Sequence, residues 1–569
     1  MSVFEVWAPN ATDAAVEVDG TSYPMRASEH GWWTSDVEKH PGQRYGFSLF
    51  DGTSWSPLLP DPRSTAQPDG VHGLSLVSEQ GFDWSDQNWT GRILPGQVIY
   101  ELHVGTFTSE GTFDALIDKL DYLRELGVTT IELMPVQPFA GDRNWGYDGV
   151  LWHAVHEGYG GRLGFKRFIN AAHNAGFAVM MDCVFNHFGP EGNYNGMFGP
   201  YTQPSNTGWG DTINLMGFGS DAVRAYIQDA VRMWFEEFHV DGIRLDAVHA
   251  LYDPGAIHLL EQLTYLKNDV EATTGIPRVL IAESDQNDPR LVSAQQAGGY
   301  GLDGQWIDDV HHALHALVSG EQHAYYADFG TTEVLAETLK NVFLHAETFS
   351  TFRGRTHGRR IDTTIVPASK FVTYTTTHDQ VGNRAAGDRP SMNLTPEQQV
   401  LKAAFVLCAP FTPMLFMGEE FGAKTPFCFF VSHSDPKLCR LTREGRMNEF
   451  KRNGWDEGLV PDPADPDTFE RSRLVWDFDA EQAGILEAYR TLLSLRQELR
   501  LARPYLEHLD VQYGESWLAF GHEDVRIVAN FSAAQVRVPF GGELRYTFTA
   551  PQVGQFETVL DPWGFAILT

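Results

Sequence analysis

The chain has 569 residues, of which 42 are lysine or arginine and 75 are aspartate or glutamate, giving a formal net charge of −33 at pH 7. Because this acidic excess repels phosphate backbones and anionic membrane surfaces, nucleic acid and membranes are excluded as expected partners. A hydrophobic content of 42% supports packed cores, and the length predicts a large domain with smaller satellites.

The N-terminal sequence and the cysteines predict the compartment. MSVFEVWAPN has no basic segment followed by an apolar run, and nowhere do about 18 uncharged apolar residues follow one another. We therefore expect a protein that is not exported. Four cysteines lack the spacing of metal ligands and are expected to be free thiols in a reducing cytoplasm. They are Cys183, Cys408, Cys428 and Cys439.

Residues 1–90 are predicted to form a β-sandwich domain. Short alternating runs such as 3–7 and 45–49 are interrupted by Gly, Pro and Asn. Two roles are open for the tryptophans of this region, stacking on sugar rings and packing in the core, and none is placed in the candidate site. These tryptophans are Trp7, Trp32, Trp33 and Trp55.

Residues 91–500 are predicted to form an α/β domain, a closed (β/α)8 TIM barrel. Short apolar runs alternate with amphipathic stretches at 113–126, 165–175 and 221–238, the pattern of repeated β-α units. Long insertions at 136–163 and 187–219 are expected at the end of the barrel where active sites lie. The eight candidate strands are 98–103, 129–134, 178–185, 240–247, 278–283, 302–306, 371–376 and 413–417.

A long helix at about 480–499 precedes a small all-β domain predicted at 501–569. Alternating runs at 517–520, 525–531 and 535–540 indicate its strands.

Three acidic residues follow neighbouring predicted strands. Asp246 lies two residues after Arg244, so both side chains share one face of the fourth strand. Glu283 ends an apolar run, where burial and a neighbouring carboxylate raise the pKa of an acid. Asp379 follows the seventh strand. Each acid alone is typical of a helix cap or turn, but three clustered carboxylates repel one another and therefore indicate a catalytic site. Retaining hydrolysis of a glycosidic bond needs two carboxyl groups about 5 Å apart, which such a cluster could supply.

Four short sequence motifs indicate a family to which this hypothesis can be related. They are DCVFNH at 182–187, DGIRLD at 241–246, IAE at 281–283 and HD at 378–379. With these motifs the chain resembles the α-amylase-type glycoside hydrolases. The resemblance implies that Asp246 is the nucleophile, that Glu283 acts as acid and then base, and that Asp379 grips ring hydroxyls.

The same resemblance implies binding roles for residues near the cleavage point. Arg244, His187 and His378 match positions that orient the nucleophile or bind the sugar, and Tyr147 matches a platform on which the sugar stacks. Two alternatives stay open, histidines bonded to the backbone inside the core and a tyrosine that packs within its loop.

A narrower resemblance covers nearly the whole chain. The stretches 59–64, 70–73, 301–312 and 462–471 are similar to those of maltooligosyltrehalose trehalohydrolases, as is the domain order. That family cuts the α-1,4 bond between a maltooligosaccharide and a terminal trehalose. The resemblance implies an oligosaccharide substrate, maltooligosyltrehalose, coupling to an enzyme that forms it, and no metal or organic cofactor.

Further binding residues are carried over from this family. Segments 244–249, 308–312 and 378–383 are expected to line the substrate groove. Asp308, Asp309 and His312 are candidates for holding the trehalose unit, although both aspartates are also suited to capping the helix that begins there. The other expected groove residues are His249, Gln380 and Asn383.

Two departures from the family pattern concern binding preference and leave the acids intact. Thr375–Thr377 precede His378 where an amide side chain is expected, and residues 426–430 are unusual around Cys428. Two rival functions stay open, a branching or debranching enzyme acting on α-1,6 linkages and a non-catalytic carbohydrate-binding protein. The second is expected to have lost a catalytic acid, and all three are present.

Overall fold

The N-terminal region of the computed structural model consists of two small antiparallel sheets. The structure describes residues 2–79, 81–207, 210–452, 457–522 and 524–569. The sheet orders are β1-β5-β4 and β3-β2-β6-β7. The strands are β1 (Val3–Trp7), β2 (Asp13–Val18), β3 (Thr21–Pro24), β4 (Arg26–Ala27), β5 (Trp32–Glu38), β6 (Arg44–Phe50) and β7 (Ser75–Leu76).

Two tryptophans of this region pack in the core. Trp7 and Trp33 are buried, and their indole N–H groups donate to the carbonyls of His30 and Ala8. Trp55 is half exposed and packs against Phe50. Core packing therefore accounts for Trp7 and Trp33.

All eight predicted barrel strands are confirmed. Eight parallel strands close in the order β10-β13-β14-β15-β18-β19-β8-β9, and their apolar runs are buried because helices cover a parallel barrel. Two antiparallel strand pairs are added, β11-β12 in the insertion at 187–219 and β16-β17 between β15 and β18. The strands are β8 (Ile99–Leu102), β9 (Thr130–Leu133), β10 (Ala178–Cys183), β11 (Thr202–Thr207), β12 (Gly210–Ile213), β13 (Gly242–Leu245), β14 (Val279–Glu283), β15 (Gly304–Trp306), β16 (Thr348–Ser350), β17 (Arg355–His357), β18 (Phe371–Tyr374) and β19 (Thr412–Phe416).

The helices follow the predicted pattern with one interruption. The helix predicted at 113–126 is two helices, because ψ angles of −14° at Asp118 and −4° at Lys119 open the backbone into a turn. The helices are α1 (Val104–Phe107), α2 (Phe113–Ile117), α3 (Leu120–Leu126), α4 (Gly161–Asn174), α5 (Asn195–Phe198), α6 (Ser220–Glu236), α7 (Leu259–Thr274), α8 (Asp308–Ser319), α9 (Thr332–Asn341), α10 (His378–Gly382), α11 (Pro396–Cys408), α12 (Pro436–Arg452), α13 (Pro466–Glu470) and α14 (Ala480–Glu498).

The C-terminal region is all β, as predicted. Its sheet orders are β20-β21-β22-β27-β24 and β23-β26-β25. The domain boundaries at about 90 and 500 stay predictions. Across the described ranges, no helix combines the length and apolar character needed to cross a bilayer. The strands are β20 (Asp510–Tyr513), β21 (Trp517–His522), β22 (Val525–Asn530), β23 (Val536–Val538), β24 (Leu544–Tyr546), β25 (Gln552–Val553), β26 (Thr558–Leu560) and β27 (Phe565–Leu568).

Candidate active site

A cleft of about 600 Å³ opens at the carboxyl ends of the barrel strands. The insertion at 136–163 supplies part of its wall through Tyr147, and the one at 187–219, whose residues 208 and 209 lie outside the described ranges, contributes His187. Most of the predicted site residues share this cleft because parallel strands end at the same rim. Those that line it are Tyr147, His187, Asp246, His249, Glu283, Asp308, His312, His378, Asp379, Gln380 and Asn383.

Strand β13 presents Asp246 to the cleft. The residue follows the last strand position, and its backbone N–H donates to the carbonyl of Cys183 on the neighbouring β10. Arg244 Nη1 lies 2.8 Å from Asp246 Oδ1, and Asn186 Nδ2 lies 2.7 Å from Oδ2. Each carboxylate oxygen therefore has its own donor, which fixes the orientation of the group.

Arg244 lies beneath the cleft and does not line it. Strand register sets it opposite Asp182, and Arg244 Nη1 lies 2.5 Å from Asp182 Oδ2. The same oxygen accepts from the hydroxyl of Tyr147 at 2.5 Å, and the guanidinium lies 4.4 Å from the ring centroid of Trp306. Burial raises the pKa of Asp182 to about 6, against the opposing charge of Arg244. Arg244 and Asp182 thus join Tyr147 to Asp246.

Glu283 lines the cleft and has a strongly raised pKa. Burial, reinforced by the charges of Asp246 and Asp379 and opposed by Arg244, raises the pKa of Glu283 to about 8. Ala247 adopts a left-handed backbone with φ 38°, and its N–H donates to Glu283 Oε2 at 2.6 Å. Burial and the neighbouring carboxylates therefore favour the protonated form of Glu283 at neutral pH.

Asp379 and His378 begin the short helix α10. The hydroxyl of Thr377 caps this helix, and Gln380 completes the capping box, so the unexpected threonine has a clear structural use. The ring of His378 lies between Glu101, 2.5 Å from Nδ1, and Asp379, 3.5 Å from Nε2. Burial lowers the pKa of His378, but these two carboxylates outweigh burial and raise it to about 9.

The other departures from the family pattern pack around the site. Thr375 Oγ1 donates to the buried Glu419 at 2.9 Å, and burial raises the pKa of Glu419 to about 8. The carbonyl of Cys428 accepts from Trp145 Nε1 at 2.9 Å. The segment around Cys428 thus supports the cleft residue Trp145 from behind.

The structure separates the two aspartates at the start of α8. Ile307 is the N-cap, so neither aspartate caps the helix. Asp308 Oδ1 faces the cleft and accepts from Tyr374 at 2.7 Å and Gln380 at 3.1 Å. Asp309 is buried outside the main cleft, and its Oδ2 accepts from the backbone N–H of Leu344 at 2.6 Å.

The predicted histidines differ in their surroundings. His187 Nε2 lies 3.1 Å from the carbonyl of Tyr147, so one ring nitrogen is held by backbone while the ring still lines the cleft. His249 Nε2 lies 4.0 Å from Asp285 Oδ1. Burial lowers the pKa of His312 to about 3, so this ring is neutral at pH 7. His312 packs against the ring of Tyr325.

Several residues in the cleft or directly behind it were not predicted. Asp182 and Asn186 lie inside the DCVFNH motif, and Glu101 is an acid within an apolar strand, so the sequence held a signal for these three. Arg353 and Arg446 come from the β16-β17 connection and from α12, far in sequence from any motif. Arg353 pairs with Asp285 at 2.7 Å.

Comparisons with known proteins agree with this geometry. The family model "Alpha amylase, catalytic domain" matches residues 67–203. Malto-oligosyltrehalose trehalohydrolase of Mycobacterium tuberculosis is 49% identical over 577 residues, covering 100% of this chain and 99% of the relative. The Rhizobium sp. protein of that name is 47% identical, with 99% and 97% covered. A solved Salmonella typhimurium structure, described as an alpha amylase, has a TM-score of 0.91 at 36% identity, with 100% and 97% covered.

The closed parallel barrel, the three acids at its carboxyl rim and the matching family model together identify an α-amylase-type glycoside hydrolase. The similarity to the two curated relatives runs from end to end and narrows this class. The chain belongs to the malto-oligosyltrehalose trehalohydrolase family.

Proposed function

We propose that the chain hydrolyses the α-1,4-glucosidic bond next to the terminal trehalose of maltooligosyltrehalose, with retention of configuration. The products are trehalose and a maltooligosaccharide. The observation that carries this proposal is the placement of Asp246, Glu283 and Asp379 in one cleft, and the raised pKa of Glu283 supports its role as the acid. The names of the full-length relatives support the choice of substrate.

In the first step, a carboxylate oxygen of Asp246 attacks the anomeric carbon of the glucose next to trehalose. The bond from that carbon to the trehalose oxygen breaks, and Glu283 gives its proton to the departing oxygen. Glu283 Oε2 accepts the N–H of Ala247, so the proton is carried by Oε1. Trehalose leaves with a restored hydroxyl.

In the second step, a water molecule enters where trehalose has left. Glu283, now ionised, takes one proton from the water. The water oxygen attacks the anomeric carbon, and the bond from that carbon to Asp246 breaks. Asp379 grips the ring hydroxyls throughout, and hydrogen bonds to them strengthen in the oxocarbenium-like transition state. His378, cationic at neutral pH, holds Asp379 from behind.

We assign the trehalose unit to the side of the cleft lined by Asp308, His312 and Gln380. A disaccharide without a reducing end is recognised through its many hydroxyls, and carboxylate, neutral imidazole and amide groups provide both donors and acceptors. Asp309 is left out of this assignment because its carboxylate faces Leu344 and Asn287.

The proposed substrate must be formed by another enzyme. A trehalose-capped oligosaccharide is formed by converting the reducing end of a maltooligosaccharide, so we propose functional coupling to an enzyme that performs this conversion. We also propose a cytoplasmic location, which the four free thiols support.

The proposal is tested by product analysis on three substrates. Incubation with maltooligosyltrehalose is expected to release trehalose, whereas plain maltooligosaccharide and glycogen serve as comparison substrates. Branch-point products from glycogen, without trehalose from the first substrate, would establish the α-1,6 rival instead. A D246A preparation run in parallel controls for contaminating glycosidases.

A further inference from the structure

We infer that Arg446 on α12 is a positioning residue for Asp379 and that it acts through the side-chain amide of Asn383. The inference rests on the proposed function, because Asp379 has a catalytic task only if the cleft hydrolyses glycosides. Its basis is a chain of hydrogen bonds that links a helix outside the eight β-α units to the third carboxylate.

The chain has two steps. Arg446 Nη1 donates to Asn383 Oδ1 at 3.0 Å, and Asn383 Nδ2 donates to Asp379 Oδ1 at 3.1 Å. Arg446 Nη2 also donates to the carbonyl of Gly382 at 2.8 Å. One guanidinium therefore holds both the backbone before Asn383 and the Asn383 side chain.

Arg446 determines which way the Asn383 amide faces. A guanidinium has only donors, so the amide oxygen must face Arg446 and the amide NH2 must face Asp379. Without Arg446, this constraint on the amide is lost. A rotated amide would set its oxygen against the Asp379 carboxylate, where neither group can donate.

Arg446 is itself held rigidly. Its side chain is 14% exposed, and it pairs with Glu449 at 3.1 Å. The guanidinium carbon lies 4.8 Å from the ring centroid of Phe429 and 4.9 Å from that of Phe450. A planar donor fixed on several sides loses little entropy when it binds an amide and a carbonyl together.

Asp379 has more need of such support than the other two acids. Its side chain is 44% exposed, against 13% for Asp246 and 21% for Glu283. Asp246 rests on Arg244 and on the amide of Asn186. Asp379 also accepts a hydrogen bond from an asparagine amide, but here the arginine contacts the asparagine and not the carboxylate.

The test compares four variants of the full chain acting on maltooligosyltrehalose. R446Q and N383A should each lower kcat by about 10- to 100-fold, the range for a lost hydrogen bond to a charged group, with a much smaller change in KM. The double variant should fall no further, and R446K should recover part of the loss. The control is R443Q, since Arg443 lies on the same helix and pairs with Asp462 on the surface at 3.2 Å.

The outcomes separate positioning from general stabilisation. An R446Q enzyme with unchanged kcat overturns the inference, as does a double variant whose loss is the product of the single losses. If R446Q does not fold, N383D decides, because it keeps a partner for Arg446 but sets a second carboxylate against Asp379. Folded N383D should be slow, and full activity overturns the inference. A wild-type protein that releases no trehalose instead refutes the proposed function.

Discussion

Strand β13 carries an aspartate at each end, and the two aspartates have opposite surroundings. Asp241, before the strand, has a side chain 2% exposed and accepts from Trp89 Nε1 at 2.7 Å, His173 Nε2 at 2.8 Å and the backbone N–H of Val179 at 2.8 Å. Asp246, after the strand, is 13% exposed and faces the cleft. A carboxylate enclosed by donors stabilises the fold, whereas one with an open side is available for chemistry.

The contrast extends to the clusters around these two residues. At the amino end, His173 lies 2.8 Å from both Asp86 and Asp241, and Arg278 lies 3.4 Å from Asp241. Burial raises the pKa of Asp86, but hydrogen bonds from His173 and His239 outweigh it and lower the value to about 2. At the carboxyl end, three acids gather in one cleft and burial raises the pKa of one of them to about 8. Acids are paired where the barrel needs stability and crowded where it performs catalysis.

The largest expected effect is that of D246N. Removing the nucleophile while keeping its shape should lower kcat by at least about 10⁴-fold, and the melting temperature should change little. Steady-state kinetics and thermal denaturation of the same preparation check both parts. Substantial remaining turnover in a clean preparation would contradict the assigned role.

The E283Q variant tests the acid role of Glu283 among the three acids at the carboxyl end of the barrel. Without an acid to protonate the departing oxygen, turnover should fall by about 10²- to 10⁴-fold. A glycosyl fluoride needs no such proton, so the formation of the glycosyl-enzyme from this substrate should be slowed far less in E283Q. Equal slowing of the two substrates would argue against the acid role.

D241N tests the amino end of the same strand. A neutral amide leaves the buried Arg278 without its charged partner and removes one of the two carboxylates beside His173, so the free energy of unfolding should fall by about 3 to 5 kcal/mol. Urea denaturation measures this loss. The kcat of the molecules that remain folded should match the wild type, and a selective loss of kcat would break the proposed division between the two ends.

A smaller effect concerns activity at alkaline pH. Because Glu283 must be protonated in the first step and its pKa is raised to about 8, kcat/KM should fall as pH rises through that region. Measurement of kcat/KM between pH 6 and 10 shows this alkaline decrease. An alkaline limb that survives in E283Q would have to belong to another group.

The smallest expected effect is a pH-dependent part of stability. Burial lowers the pKa of His173, but Asp241 and Asp86 outweigh burial and raise it above its ordinary value of 6.5. The stabilisation is therefore complete below about pH 6.5 and is lost as pH rises through the folded-state pKa. The difference in melting temperature between wild type and H173Q should shrink with rising pH, and a constant difference would contradict this.

The barrel could be predicted from sequence because its strands are short apolar runs buried on both faces. That pattern does not depend on distant residues, and all eight runs were found within a few residues of their ends. The interruption at Asp118 was missed because the apolar spacing continues through it while only the backbone angles change.

The candidate site was predictable where it lies next to strands. Asp246, Glu283 and Asp379 lie at or just after strand ends, so topology alone brings them to one rim. The direction of a side chain within a helix start is set by tertiary contacts, which explains why Asp308 enters the cleft and Asp309 does not. Arg446 lies 63 residues from its partner Asn383 on an added helix, and no local pattern indicates it.

Retaining hydrolysis next to trehalose is tested most directly by the configuration of the first product. Trehalose has no reducing end, so cleavage creates a single new anomeric centre, which proton NMR can follow before mutarotation. The α-anomer of the maltooligosaccharide should appear first, together with an equal amount of trehalose. Initial appearance of the β-anomer would mean direct attack by water, and the assignment of Asp246 as nucleophile would be wrong.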